Sequence, residues 1–435
     1  MAHINYVRQV ERRLFQSLGE IMPLNMAGCN FAAFGGTAEQ RAAAAVQAAS
    51  RYCGVCGIVV LVKDAKGPAA DPLEAAILGM PGALPEARAQ YRRTPAYTIP
   101  WRDYDLMYGL DEGSVEALLL SGLNVPGQAS LMNPVIAGLQ AYLQIMEHQF
   151  REDPTDFGAY PFNLDLLREL AVMPYETLHR RVLRHLPEEI YDQVQPVLSK
   201  PDVQTGAAAV VRQFAYRFQK YGRRDGSFLN HSRRSIISAV SRREVVCVKV
   251  PDSSGVLLDY IEAELEQLSA AGIQYLLIAS GLDLSRSPRL RERFLAESAG
   301  NYYSGILAES LSSVAETEAQ QAQVFSRYQQ ILVHQCATEG LAEPFSVNCG
   351  SYKRREVRQT YGRHREPFHI FSTVSTGEET GWVDERNVRV EELTQLGRGA
   401  LLCGKFYPVP ILISHLRNGG NHHAVHMREL PPGGE

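Results

Sequence analysis

The chain has 435 residues, 45% hydrophobic and 21% charged, with 35 Gly and 23 Pro, a composition that excludes a disordered chain, a collagen and a coiled-coil rod. Its 44 Lys and Arg against 48 Asp and Glu leave a net charge of -4, so bulk charge does not draw it to nucleic acid and any polyanion contact must be local. At roughly 100–200 residues per domain, the length implies two or three packed units, or one large α/β core carrying an insertion.

No window approaches the roughly 18 uninterrupted apolar residues of a membrane span, and Met1–Leu14 is charged and lacks the apolar stretch of a signal peptide. A cytoplasmic chain is therefore expected. The 7 Cys are odd in number and scattered, which points to reduced thiols rather than a disulfide framework.

In chain order, a short apolar stretch at Asn30–Phe34, an Ala-rich helix over Thr37–Arg51 and the apolar run Gly57–Val62 make one strand–helix–strand unit. The run at Ile58–Val62 lacks polar alternation, as a parallel strand covered on both faces does. From Tyr104 to Tyr221 the period turns helical, with segments at Val115–Leu123, Pro134–Gln149, Asn163–Val172, Tyr175–His185, Glu188–Leu198 and Ala207–Lys220. Strands return at Glu244–Val250, Gln274–Ala279, Tyr303–Ala308, Gln330–His334, Phe368–Thr373 and Ala400–Tyr407, with helices between them. This alternation predicts more parallel sheet. The expected division is a core in two parts, 1–103 and 226–416, an all-α domain inserted at 104–225, and an unstructured tail at 417–435.

The chemistry starts at Gly35-Gly36-Thr37-Ala38-Glu39-Gln40-Arg41-Ala42. It stands where a phosphate loop, G-x-x-x-x-G-K-[ST], would cradle phosphates on backbone N–H groups at a helix N-terminus. Gly35 fills the first glycine position, but Gln40, Arg41 and Ala42 replace the second glycine, the lysine and the Mg²⁺-binding hydroxyl. A Gly-Gly turn before a helix has the same sequence with no ligand at all. Further on, the strand at Gln274–Ile278 ends in Ala279-Ser280 where an Asp-Glu pair would bind Mg²⁺, and the strand at Gly305–Ala308 closes on Glu309-Ser310.

Taken in order, from Asn25 to Leu416, these segments resemble the type IV coupling proteins, the RecA-like hexameric ATPases of conjugation and type IV secretion. In that family a strand ends in an Asp-Pro-Lys-Gly-like turn, matched by Asp64-Ala65-Lys66-Gly67. An all-α domain follows, matched by the helical zone. A Gln-Ser pair is replaced here by Glu309-Ser310. The Glu385-Arg386, Glu391-Glu392-Leu393, Leu396 and Gly399-Ala400 series resembles the family's ending. The resemblance implies a RecA-like P-loop α/β core with a mostly parallel sheet and an inserted all-α domain. Gly35, Gly36, Thr37 and Arg41 would be its nucleotide-contacting residues. The departures fall on groups that ATP hydrolysis needs, and the family's N-terminal membrane anchor has no counterpart. These departures imply a pseudo-ATPase with no catalytic residue, no metal ligand and at most a weak ATP contact, since the planar fork of Arg41 does not replace a lysine's point charge.

Its partners would be protein components of a secretion or conjugation machine, in a mixed or homohexameric ring or as a docking adaptor. It would be recruited to the inner face of the membrane by one of them, without inserting. Two other readings stay open: a divergent ATP-dependent DNA translocase, and a metal or redox protein using Cys53-Gly54-Val55-Cys56. The second is disfavoured because a redox C-x-x-C opens a helix after a strand, whereas this one closes a helix before a strand. Asp283 reads as a displaced metal ligand or, more simply, a helix cap. Basic clusters at Arg212/Arg217/Lys220/Arg223/Arg224, Arg233/Arg234/Arg242/Arg243 and Lys353/Arg354/Arg355/Arg358/Arg363/Arg365 are either solvated surface or local DNA contacts. In the last, Tyr352, Tyr361 and His364 interleave and could stack on bases. His422, His423 and His426 fall in the tail and are given no role.

Overall fold

A computed structural model describes residues 30–64, 71–84, 91–121, 129–151, 162–219, 234–251, 255–295, 301–364, 373–397, 399–405, 410–414 and 426–428. The residues Ala65-Lys66-Gly67, Lys220, Arg223, Arg224, Arg233, Arg365, His422 and His423, invoked above, lie outside them, as do Cys29 and nearly all of the strand expected at Phe368–Thr373. The chain divides into two compact units, one containing Arg41–Ala308 and the other Asn30–Gln40 together with Glu309–Glu435.

The first unit holds a parallel sheet in the order β6 (Tyr302–Ala308), β5 (Tyr275–Ser280), β2 (Gly57–Lys63), β4 (Val245–Val250) and β3 (Ala96–Pro100). Ile58 to Val62 and Tyr275 to Ser280 are buried throughout, so the continuous apolar runs mark central parallel strands, as their lack of alternation predicts. Gly57 lets α9 (Ile236–Ser241) approach closely, because a Cβ there would lie 2.6 Å from the Val240 Cα. α10 (Gly255–Ala270) links β4 to β5, and α11 (Pro288–Leu295) links β5 to β6.

Between β3 and β4 the described residues contain no strand. They form α3 (Glu112–Leu120), α4 (Ala129–Arg151), α5 (Leu164–Val172), α6 (Tyr175–Arg181), α7 (Glu188–Leu198) and α8 (Pro201–Phe218). α8 packs on α4, α5 and α7, with Val203, Ala207, Val211, Phe214 and Phe218 buried at helical spacing. Gly138 of α4 permits a tight crossing, since a Cβ there would meet the Ala207 Cβ at 2.9 Å.

The second unit contains β1 (Phe31–Phe34), buried along its whole length and parallel to β7 (Gln330–Val333). The sheet then turns antiparallel through β10 (Ala400–Cys403), β11 (Ile411–Ser414) and β12 (His426–Arg428). β12 lies in the tail expected to be unstructured. It takes up the second edge of β11, from Leu412 opposite Arg428 to Ser414 opposite His426, a pairing that composition does not announce. The α/β class with mainly parallel strands is as the sequence implies.

A two-stranded ribbon is the element that the sequence does not suggest. β8 (Ser351–His364) pairs antiparallel with β9 (Thr373–Arg386) over their whole lengths, from Ser351 opposite Arg386 to His364 opposite Thr373. Neither pairs with a third strand among the described residues.

Candidate functional site

The turn after β1 lies wholly in the second unit. Gly35 and Gly36 have φ of +66° and +59°, the left-handed region that glycine enters without steric cost. A Cβ on Gly35 would stand 2.8 Å from the His334 carbonyl oxygen, and one on Gly36 2.5 Å from the His334 Cβ. The turn is thus pressed against the end of β7. Its donors are spent within the chain: Gly35 N donates to the Glu309 carbonyl (3.2 Å) and Gly36 N to the Gln335 carbonyl (2.8 Å).

The helix begins at once. α1 covers Ala38–Ala49, so Ala38 to Arg41, aligned above with the loop of a phosphate-binding motif, are already its first turn. Thr37 N donates to Gln40 Oε1 (2.9 Å) and Gln40 N to Thr37 Oγ1 (3.3 Å). This reciprocal pair is a capping box. It occupies N-terminal N–H groups that a phosphate loop would turn toward its ligand. Gly35, Gly36, Thr37 and Gln40 therefore come together, but around one another. Arg41, half-buried on the same turn of helix, falls in the first unit.

In the first unit, β5 ends on Ser280, whose hydroxyl donates to Asp71 Oδ2 (2.5 Å). Asp71 also caps α2 (Pro72–Gly79), accepting from Leu73 N at 2.9 Å. Asp283 caps the short turn Leu284–Arg286. It accepts from Ser285 N (3.2 Å), Ser285 Oγ (2.6 Å) and Arg286 Nε (3.1 Å), and the bond from the Ser285 hydroxyl, with Arg286 beside it, lowers its carboxyl below the ordinary range. This is the structural role of a capping Asp. No group of three or more His, Cys, Asp and Glu among the described residues is arranged to hold a metal ion.

Cys53 and Cys56 are buried free thiols. Burial pushes the Cys56 thiol up to about 11, away from the thiolate that redox or metal chemistry requires. No described helix is long and apolar enough to cross a membrane.

A buried polar cluster escaped the sequence reading. Tyr260, Glu264 and Gln267 share one face of α10 and grip the chain where it leaves for the helical zone and where it returns. Glu264, fully buried, accepts from Tyr104 Oη (2.6 Å), Ile236 N (3.1 Å) and Ile237 N (3.4 Å). Tyr260 Oη accepts from Met107 N (2.5 Å), and Gln267 bridges Gly109 and Asp111. Asp105 N donates to the Arg234 carbonyl (3.0 Å) while Arg234 N donates to Asp105 Oδ2 (3.3 Å), so the two ends of the zone are tied side by side. Burial pushes the Glu264 carboxyl up to about 7, against the lowering effect of these hydrogen bonds. The signal available in the sequence was weak, because Glu262, Glu264 and Glu266 alternate in α10 as on a solvated helix.

No protein-family profile matches the chain, and no curated protein matches it. Among solved structures, it is similar to the bacterial conjugative coupling protein TrwBdeltaN70 in its unbound monoclinic form, at 11% identity over 86% of this chain and 82% of that one, with a TM-score of 0.38. It is also similar to VirB4 of Thermoanaerobacter pseudethanolicus, at 11% identity over 75% and 84% of the two chains, with a TM-score of 0.36.

Proposed function

We propose that the chain is a RecA-like but non-hydrolysing component of a conjugation or type IV secretion machine, acting by binding protein partners. The ordered series of motifs supports the family. The observation that carries the loss of activity is the three-residue turn Gly35–Thr37, whose N–H groups are taken by Glu309, Gln335 and Gln40. To admit a phosphate, the chain would have to break the Thr37–Gln40 box and lift Gly36 off β7. Lys, Ser/Thr and Asp are also missing from the positions where phosphoryl transfer uses them, and Ser280 is committed to Asp71.

In this reading the α/β core is a scaffold, and assembly follows from protein contacts, in a mixed or homomeric ring or as an adaptor held at the inner membrane face by a partner. In the third basic cluster Lys353 stands opposite Asp384 and Arg358 opposite Glu379, which leaves Arg354, Arg355 and Arg363 as the bases that DNA contact would use. The test is phosphate release with Mg²⁺-ATP, with and without DNA, alongside calorimetric titration of nucleotide. The expected result is no turnover above background and no saturable heat. Turnover that disappears in Arg41→Ala would establish the DNA translocase instead.

A further inference from the structure

The β8–β9 ribbon separates charge by strand. β8 carries Lys353, Arg354, Arg355, Arg358 and Arg363 against the single acid Glu356. β9 carries Glu378, Glu379, Asp384 and Glu385 against the single base Arg386. A two-stranded ribbon has two outer edges, one along the base-rich strand β8 and the other along the acid-rich strand β9.

Pairing within the ribbon matches only part of this charge. Arg354, Arg355 and Arg363 stand opposite Val383, Trp382 and Val374, and Glu378 stands opposite Gln359. Isolated two-stranded hairpins are marginal in water, and a further strand is the ordinary remedy. Trp382 is 71% exposed and Val383 44%, consistent with a surface that another chain covers.

We propose that the ribbon is a self-association surface, on which the basic β8 edge of one copy lies antiparallel against the acidic β9 edge of a second copy of this chain. A strand added on either side continues the alternation that β8 and β9 already have, and its main-chain N–H and C=O groups satisfy the open edge. Sliding the second copy's β9 by about four residues from the intramolecular register keeps the faces aligned. It sets Arg354 opposite Glu379 and Arg355 opposite Glu378, a doublet of bases against a doublet of acids. Like edges repel, which selects β8-to-β9 over β8-to-β8 pairing. The contact is heterologous, so it extends to a ring or a file of copies rather than stopping at a two-fold dimer.

Sedimentation velocity of the full chain, from about 1 to about 100 μM, is the test, since weak assemblies fall in this range. Species larger than the monomer are expected at about 50 mM salt and should weaken at least about tenfold at about 500 mM, where surface charge is screened. Arg354→Glu/Arg355→Glu sets acids against the second copy's Glu378 and Glu379, and Glu378→Arg/Glu379→Arg sets bases against Arg354 and Arg355. Each variant alone should sediment as a monomer, and an equimolar mixture should associate again, which also shows that both are folded. A wild type that stays monomeric throughout, association unchanged in either variant, or a mixture that stays monomeric while both variants keep the wild-type circular dichroism would overturn the proposal. So would a monomeric wild type that binds duplex DNA through Arg354 and Arg355.

Discussion

Replacing Glu264 with Gln should remove a pH dependence from the stability of the first unit. The carboxyl lies at about 7 in the folded chain against an ordinary 4.5, so folding raises its affinity for a proton. Between these values the folded state holds a proton that the unfolded state has released, and stability falls as pH rises. At about 1.4 kcal/mol per pKa unit, the loss from below pH 4.5 to above pH 7 is on the order of 3 kcal/mol. Urea unfolding at a series of pH values from about 4.5 to about 8, read by tyrosine fluorescence and circular dichroism, gives the slope for each protein. Glu264→Gln presents an uncharged acceptor to Tyr104 and Ile236 at every pH, so its slope should be flatter than wild type by about that amount. Equal slopes would refute the assignment of a neutral buried carboxyl to Glu264.

The capping box and the helix crossing give three further outcomes. Gln40→Ala removes the acceptor for Thr37 N and should lower stability by about 1 kcal/mol, seen as a lower melting temperature that Mg²⁺-ATP does not restore. Gly36→Ala places a Cβ 2.4 Å from Gln40 Oε1 at a φ of +59°, and should destabilise by roughly 1–2 kcal/mol in denaturant titration. Gly138→Ala would stabilise an open helix by about 1 kcal/mol, but its Cβ would stand 2.9 Å from that of Ala207. The expected sign is therefore destabilising, and a gain in the unfolding midpoint would mean a looser crossing than the one described.

The sequence announced the fold wherever a single physical demand dominated. β2 and β5 were legible because a strand covered on both faces must be apolar at every position. Helices α3 to α8 were legible through Pro and Gly punctuation and buried residues at helical spacing. The ribbon was not, because charged residues follow one another without a break, as in Lys353-Arg354-Arg355-Glu356, and erase the alternation that marks a half-buried strand. At the candidate site, Thr37-Ala38-Glu39-Gln40 carries two overlapping patterns: the middle of a degraded phosphate loop, and the Thr-x-x-Gln of a capping box. Only the contacts of Gln40 separate them, and the same Thr-x-x-Gln box recurs at Thr317 and Gln320. Glu264 was hidden because its role depends on Tyr104, 160 residues away in sequence, which no local pattern records.

The pairing of Asp105 with Arg234 spans 129 residues, and this distance sets an order of events in folding. Contacts of long sequence separation must first overcome loop-closure entropy, which slows their formation. The helices of the intervening zone close shorter loops, as when Gly138 of α4 meets Ala207 of α8. Docking of Tyr104 and Ile236 onto Glu264 would then bring together the strands on either side, since β2 pairs with β4 only after that whole zone has been synthesised. A chain emerging from the ribosome thus leaves both edges of β2 unpaired until Val245–Val250 and then Tyr275–Ser280 arrive, the interval in which it is most open to misassociation.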